Sequence, residues 1–219
     1  MLISIKHTIY SYFRLSVIMK KYFFFLLINI FLSLTLSAQK LQVKVTYVTE
    51  DPAEKKPLIY YSPLVKLTWA DFKGKPILSS NAAAITNAGI GFKMTFHSQD
   101  NVTTLHIPVN CNFYISDSWV KDGKRTPYIL NHEQHHFDIA YVHAMQLIQK
   151  LQAAKYTREN YSSVIEKIYY QVQANLQAMQ NAYDTETKNS ILTDKQEMWD
   201  KKIDAQLALL IKQSATATN

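Results

Sequence analysis

The chain has 219 residues, a length that suggests one domain, or one domain with extensions. It has a single cysteine, Cys111, so no internal disulfide can form and stability has to come from a packed core. The formal charge of +7 does not mark a nucleic-acid binder: four of the 24 bases and none of the 17 acids fall in residues 1–38, which leaves 20 bases against 17 acids, a net of +3, with no Lys/Arg cluster interleaved with aromatics.

Residues 19–38 begin Met-Lys-Lys, continue as an apolar run and end in Ser-Ala. That is the order of a secretory signal. Met19 is the expected start, residues 1–18 an upstream extension, and cleavage is expected after Ala38. The product would be secreted or periplasmic, and would meet the membrane only through this segment. The alternative is an uncleaved anchor, for which the apolar run is short. No cysteine follows the signal, so lipid attachment there is not expected.

The region 40–120 reads as strands. Leu41, Val43, Val45 and Tyr47 alternate with polar residues. So do Ile90, Phe92, Met94 and Phe96, and again Leu105, Ile107, Val109, Cys111, Phe113 and Ile115. A period of two means strands with one buried face. Ser98-Gln99-Asp100-Asn101 is turn chemistry, which predicts a hairpin between the last two. Pro108 places its strand at an edge or a bulge. His97 and His106 fall on the polar faces and are expected in solvent. Leu67-Thr68-Trp69-Ala70-Asp71-Phe72-Lys73-Gly74-Lys75-Pro76 suggests a structural corner, with the Trp as a core anchor.

Thr126 before Pro127 is a helix start, a hydroxyl cap followed by Pro at the first helical position. No Gly or Pro interrupts Tyr128 to Tyr156. Two turns in lies His132-Glu133-Gln134-His135-His136. On a helix, His132 and His136 are offset by roughly 40° around the axis and ~6 Å along it. Two imidazoles so placed can share one tetrahedral metal. Glu133 lies about 100° round from His132, beside the metal position. A carboxylate there can take a proton from a water that zinc acidifies, so that the water attacks a polarised carbonyl. The pattern supplies two ligands and a general base but no third ligand. His135 reads as a site-edge or solvent residue. His143 lies ~10 Å beyond His136 along the axis, too far for the same ion, and reads as packed or solvated.

Thr157 is the expected cap of a second helix, from about Arg158 to Ala182. Its apolar stripe is Tyr161, Ile165, Ile168, Val172, Leu176 and Met179. The link is short, so the two helices should form an antiparallel hairpin. His132 is 24 residues before a turn near Tyr156, and position 180 is 24 after it. The segment Tyr183-Asp184-Thr185-Glu186-Thr187, just past the second helix, should arrive beside the histidine pair. Asp184 and Glu186 are both candidates for the missing ligand. Thr193 and Gln196 suggest a capping box for a third helix with Trp199, Ile203, Leu207 and Leu210 on one stripe. Residues 214–219 are expected to fray. The expectation is one α+β domain over 39–213, an N-terminal antiparallel sheet followed by the helix hairpin and a third helix.

Several of these pieces together resemble a bacterial family catalogued as domain of unknown function 922 and described as predicted secreted zinc-dependent proteases. They are Leu67 to Gly74, Ser118-Trp119-Val120, His132 to Ile139, Tyr183 to Thr187, and Gln196 with Trp199. By that resemblance the fold is zincin-like, His132 and His136 are metal ligands, Glu133 is the catalytic base, and Asp184 is the third ligand in preference to Glu186. The family often has His where this chain has Asn189, an acid in place of Tyr141 and Arg in place of Met145.

The expected function is an exported zinc-dependent hydrolase, in first place a metallopeptidase acting on peptide or protein substrates. Tyr183 and His135 are candidate oxyanion donors. Two rivals remain: a non-catalytic metal-binding or protein-binding module of the same fold, and a zinc amidase acting on cell-envelope material.

Overall fold

The computed structural model of the chain describes residues 40–216. The expected extension, signal and cleavage point lie outside the described residues, as do residues 217–219 of the tail. The described chain forms two compact units: Lys40 with Ser98–Val102, and Leu41–His97 with Thr103 onward. In the small unit, the Lys40 amide donates to the Asn101 carbonyl at 2.9 Å, and Asp100 takes a left-handed φ of 51°, which Asp tolerates in a tight turn.

A five-stranded sheet is built around one strand. The strands are β1 (Lys40–Tyr47), β2 (Leu58–Tyr60), β4 (Ala88–Phe92), β5 (Thr95–Gln99) and the long β6 (Val102–Tyr114). Strand β6 pairs with all four others. Its inward residues Leu105, Ile107, Val109, Cys111 and Phe113 are fully buried, as its alternation requires. The expected β5–β6 pairing is present. A second, two-stranded sheet pairs β3 (Ala84–Ile85) with β7 (Trp119–Val120) antiparallel.

Three details differ from the sequence reading. The sheet is mixed rather than wholly antiparallel: the backbone bonds Lys40 N to Asn101 O and Val48 N to Val109 O advance in the same direction, so β1 runs parallel to β6. A long connection separates these strands, so no hairpin forces them antiparallel. Pro108 lies in the central strand, not at an edge; β4 and β5 break at Lys93–Met94, beside the Pro108 carbonyl, which accepts from Lys93 N at 3.2 Å. Past that break the buried face is lost, and Met94 and Phe96 are 42% and 52% exposed. His97 is exposed as expected, whereas His106 is half-buried, with Nε2 2.9 Å from the Thr46 hydroxyl.

The corner is a single 3-10 turn, Trp69–Asp71. Thr68 closes it, its N–H and hydroxyl both donating to Asp71 Oδ2. Trp69 packs at 5.0 Å on buried Phe72. Gly74 follows because its backbone passes against the turn after β6: its N–H donates to Ser118 O at 2.7 Å, and a Cβ would meet Ser118 O at 2.8 Å and Ser116 O at 2.9 Å. Backbone oxygens cannot swing aside, so Gly74→Ala is expected to cost about 2 kcal/mol. A urea midpoint unchanged from wild type would contradict this packing.

Three helices complete the unit: α1 (Pro127–Ala153), α2 (Tyr161–Thr187) and α3 (Thr193–Thr216). Thr126 caps α1, its hydroxyl accepting from Ile129 N at 3.2 Å. Helix α1 is buried continuously from His132 to Ala144, because it is flanked by the sheets and by both other helices. A helix buried all round must satisfy its polar side chains internally. Gln134 accepts from Leu67 N at 2.8 Å and donates to Asp138 Oδ1 at 2.8 Å. Tyr61 donates to the same oxygen at 2.9 Å. His143 donates to Ile139 O at 2.8 Å, and burial holds its ring below the ordinary histidine value. His143 is therefore packed.

The later helix boundaries shift. Thr157 does not cap a helix from Arg158; its hydroxyl accepts from the amides of Glu159 and Asn160, which makes a separate turn, and α2 starts three residues later than expected. It also runs through Thr187, so Asp184 sits in its last turn and not beyond it. The stripes on α2 and α3 are as read, with Ile165, Val172, Leu176, Trp199, Ile203 and Leu207 buried. Helix α3 continues to Thr216, past the expected start of fraying. Among the described residues no helix is long and apolar enough to cross a membrane.

Candidate metal centre

Helices α1 and α2 run as neighbours, joined through a turn centred near residue 158. That pivot places residue 184 opposite residue 132. Asp184 Oδ1 lies 3.1 Å from His132 Nε2 and 3.0 Å from His136 Nε2, and the two Nε2 atoms are 3.1 Å apart. Donors about 2.0–2.1 Å from a tetrahedral zinc would sit about 3.3 Å from one another. Three ligand atoms already converge at nearly that spacing, and the group could hold a metal ion.

The hydrogen bonds on the far side of each ring decide what those atoms offer. Gln180 Nε2 donates to His136 O at 2.9 Å, so its Oε1 faces His136 Nδ1. Gln196 Nε2 donates to Tyr183 OH and, at 2.6 Å, to Asp200 Oδ1, so its Oε1 faces His132 Nδ1 at 2.8 Å. An amide oxygen only accepts, so both Nδ1 atoms carry the proton, and each ring, when neutral, turns an Nε2 lone pair inward. Two lone pairs and a carboxylate oxygen then share one point with no proton between them. That arrangement calls for a positive charge, and the donor set, two imidazoles and one carboxylate, suits zinc. The residues fit the metal.

Without an ion, the charges adjust to one another. Burial pushes Asp184 up, but its hydrogen bonds to His132 and His136 win and hold the carboxyl well below the usual range. Burial pushes His136 down, but the Asp184 carboxylate outweighs it and raises the ring above its ordinary value.

Glu133 is 3% exposed. Burial raises its carboxyl above the ordinary range, against the pull of His136 and His132. Its Oε2 has no hydrogen-bond partner among the described residues. A buried carboxylate oxygen left open beside two imidazoles is free to accept a proton from a small molecule. Thr86, next to β3, donates to the Glu133 carbonyl at 3.0 Å and ties that strand to this turn of α1.

The other candidates do different work. Glu186 Oε2 accepts from Trp199 Nε1 at 2.8 Å and stands outside the metal group. His135 is buried, not solvated: its Nδ1 donates to Asn131 O at 2.9 Å, and Asp200 and Asp204 lie 3.3 and 3.5 Å from its two nitrogens. Tyr183 is fully buried and stacks on the His132 ring at 4.4 Å. Both are buried, and neither is part of the metal group. Asn189 has a left-handed φ of 50° and lines a cleft with Lys121, Lys124 and Tyr128, apart from the metal group. Tyr141 stacks on Tyr61 at 4.1 Å. Gln196 does not close a capping box; its fully buried side chain serves His132. Gln180, Gln196 and Thr86 were not legible as site residues, because glutamine and threonine carry no motif of their own.

Residues 117–190 match the family described as bacterial protein of unknown function (DUF922). Over that segment the chain is similar to this family. The segment spans the whole of α1 and α2 and contains His132, Glu133, His136, Gln180 and Asp184, while Gln196 and the five-stranded sheet lie outside it. No curated protein and no solved structure matches the chain.

Proposed function

We propose that the chain is an exported zinc-dependent hydrolase, in first place a metallopeptidase. The observation that carries the reading is the convergence of His132 Nε2, His136 Nε2 and Asp184 Oδ1 at 3.0–3.1 Å beside the unpartnered Oε2 of buried Glu133. His132, His136 and Asp184 would hold the ion, which as a Lewis acid polarises a carbonyl and lowers the pKa of water. Glu133 accepts the proton of the attacking water at Oε2 and returns it to the leaving amine. Its raised affinity for a proton suits both steps, since a general base works best near the working pH. Tyr183 and the two glutamines keep the imidazoles in place while the proton moves.

Strand β3 supports an extended substrate. Among the described residues it pairs only with β7, and its neighbour Thr86 is bonded to the Glu133 turn. A strand edge can hold a peptide through its backbone. Amide bonds of cell-envelope material are the second substrate class, favoured by the expected export.

The test is hydrolysis by the zinc-loaded and the metal-stripped protein, on unfolded protein substrate and on envelope fragments. Cleavage of protein only when zinc is present supports the peptidase; cleavage of envelope fragments alone moves the assignment to an amidase. A folded, zinc-loaded chain that cleaves neither refutes the enzyme and leaves a binding module. Recovery from the periplasm or medium with Gln39 as first residue would establish export; recovery from the cytoplasm with Met1 or Met19 intact would refute it.

A further inference from the structure

A histidine can ligate through Nε2 only if its proton sits on Nδ1, and in solution a neutral imidazole exchanges between both tautomers. Residues that hold the proton on the far nitrogen therefore prepare the site before any ion arrives. We propose that Gln180 and Gln196 are the positioning residues that fix the Nδ1–H tautomers of His136 and His132, each locked in turn by an acceptor that only its own N–H2 can satisfy. The proposal rests on the metal reading above for its purpose, though not for its geometry.

The locks are independent. Gln180 comes from α2 and grips one residue twice, donating to His136 O at 2.9 Å while its oxygen meets the ring of the same histidine. Gln196 comes from α3. Its N–H2 has two takers, Tyr183 OH and Asp200 Oδ1. Asp200 is itself held through Oδ2 by Asn131 Nδ2 at 2.9 Å. A carboxylate accepts only, so a flipped Gln196 would set oxygen against oxygen and lose the His132 bond as well. Asn131 lies one residue before His132, so α1 anchors the group that orients its own ligand.

The choice of amide over carboxylate has a consequence for charge. Carboxylates behind both rings would add two negative charges to the Asp184 and Glu133 pair. With glutamines, those two carboxylates and a divalent cation balance to zero. The tautomers are fixed without making the imidazoles more anionic in character.

Gln180 is the position to test, because it is only half-buried, whereas Gln196 is fully enclosed. Gln180→Met keeps the length and removes both hydrogen bonds; Gln180→Glu keeps an oxygen for the ring. Zinc affinity of the purified chain is measured by competition with a chelator. The Met variant is expected to bind zinc 10–100-fold more weakly, and the Glu variant, which keeps the acceptor for the ring but loses the N–H2 bond to His136 O, to lie between Met and wild type. Long-range proton–nitrogen spectra of the metal-free protein at about pH 9 should show a single Nδ1–H form of His136 in wild type and Gln180→Glu, and a mixture in Gln180→Met. Wild-type zinc affinity in Gln180→Met, or equal weakness in both variants, would overturn the proposal, the second outcome pointing to packing alone. If wild type binds no zinc, the metal reading fails, and the spectra still decide the lock: an Nε2–H form of His136 in wild type refutes it. Circular dichroism and thermal unfolding of the metal-free variants show whether each is folded.

Discussion

Metal-free protein titrated with zinc is expected to take up one equivalent and to unfold at a clearly higher temperature. An ion bound only by the folded state adds about 4 kcal/mol when free zinc is a thousand times the dissociation constant. For a chain of this size that is roughly 8–16 °C. His136→Ala and Asp184→Ala should each abolish the rise. In both, the partners of the lost group are left converging on one point, but Asp184 is part-exposed and its removal should leave a folded protein. The pH dependence gives the same site a second signature. The raised His136 value means that, without metal, its contribution to stability is complete below the ordinary histidine range and is lost as pH rises through the raised value. The lowered Asp184 value means that its contribution is present above the ordinary carboxylate range and is lost only in strong acid. Between these limits a proton on the histidine pair does part of the ion's work. Raising the pH withdraws that proton and also frees the ligands for metal. The zinc-induced rise should therefore be larger at pH 8 than at pH 6. A flat or reversed dependence would mean that the ion binds elsewhere.

The sequence carried the centre of this site and little of its surroundings. The His-Glu-x-x-His spacing, the Thr126–Pro127 start and the uninterrupted helix are local features, and each is realised in α1. The antiparallel count brought the segment holding Asp184 and Glu186 to the histidine pair; the turn lies about two residues later than the count assumed, so Asp184 faces His132 where the count had set position 180. What failed were inferences in which a side chain had two possible partners. Gln196 three residues after Thr193 reads as a cap, yet its amide is drawn into the core by His132, Tyr183 and Asp200, which are 64, 13 and 4 residues away. Of the two readings of His135, site edge or solvent, the solvated one fails because its partners Asp200 and Asp204 lie on another helix. Met94 and Phe96 continue a perfect alternation, but the break at Lys93–Met94 ends the buried face. Periodicity names the face a residue occupies and not whether anything covers it.

Glu133→Gln separates catalysis from structure better than any other change at the site. Glutamine has nearly the same shape and can keep the packing, but it cannot accept the proton of an attacking water. Hydrolysis should fall by about a thousandfold, the size of a general-base contribution, with zinc content unchanged. The metal-free variant should also be more stable than wild type. Glu133 carries a buried oxygen without a partner, and burial dominates over the neighbouring histidines in raising its proton affinity. A native-state value above the unfolded one means that the charged form is disfavoured in the fold. The stability contribution of the neutral acid is complete below the ordinary glutamate range and is lost as pH rises through the raised value. The variant has no such loss, so its advantage should be absent below the ordinary glutamate range and grow as the pH rises above it. Loss of zinc in the variant would make Glu133 a ligand instead of a base. Full activity would move the base to another residue. A gain in stability together with intact zinc and lost turnover is the combination that only a strained, functional carboxylate would produce.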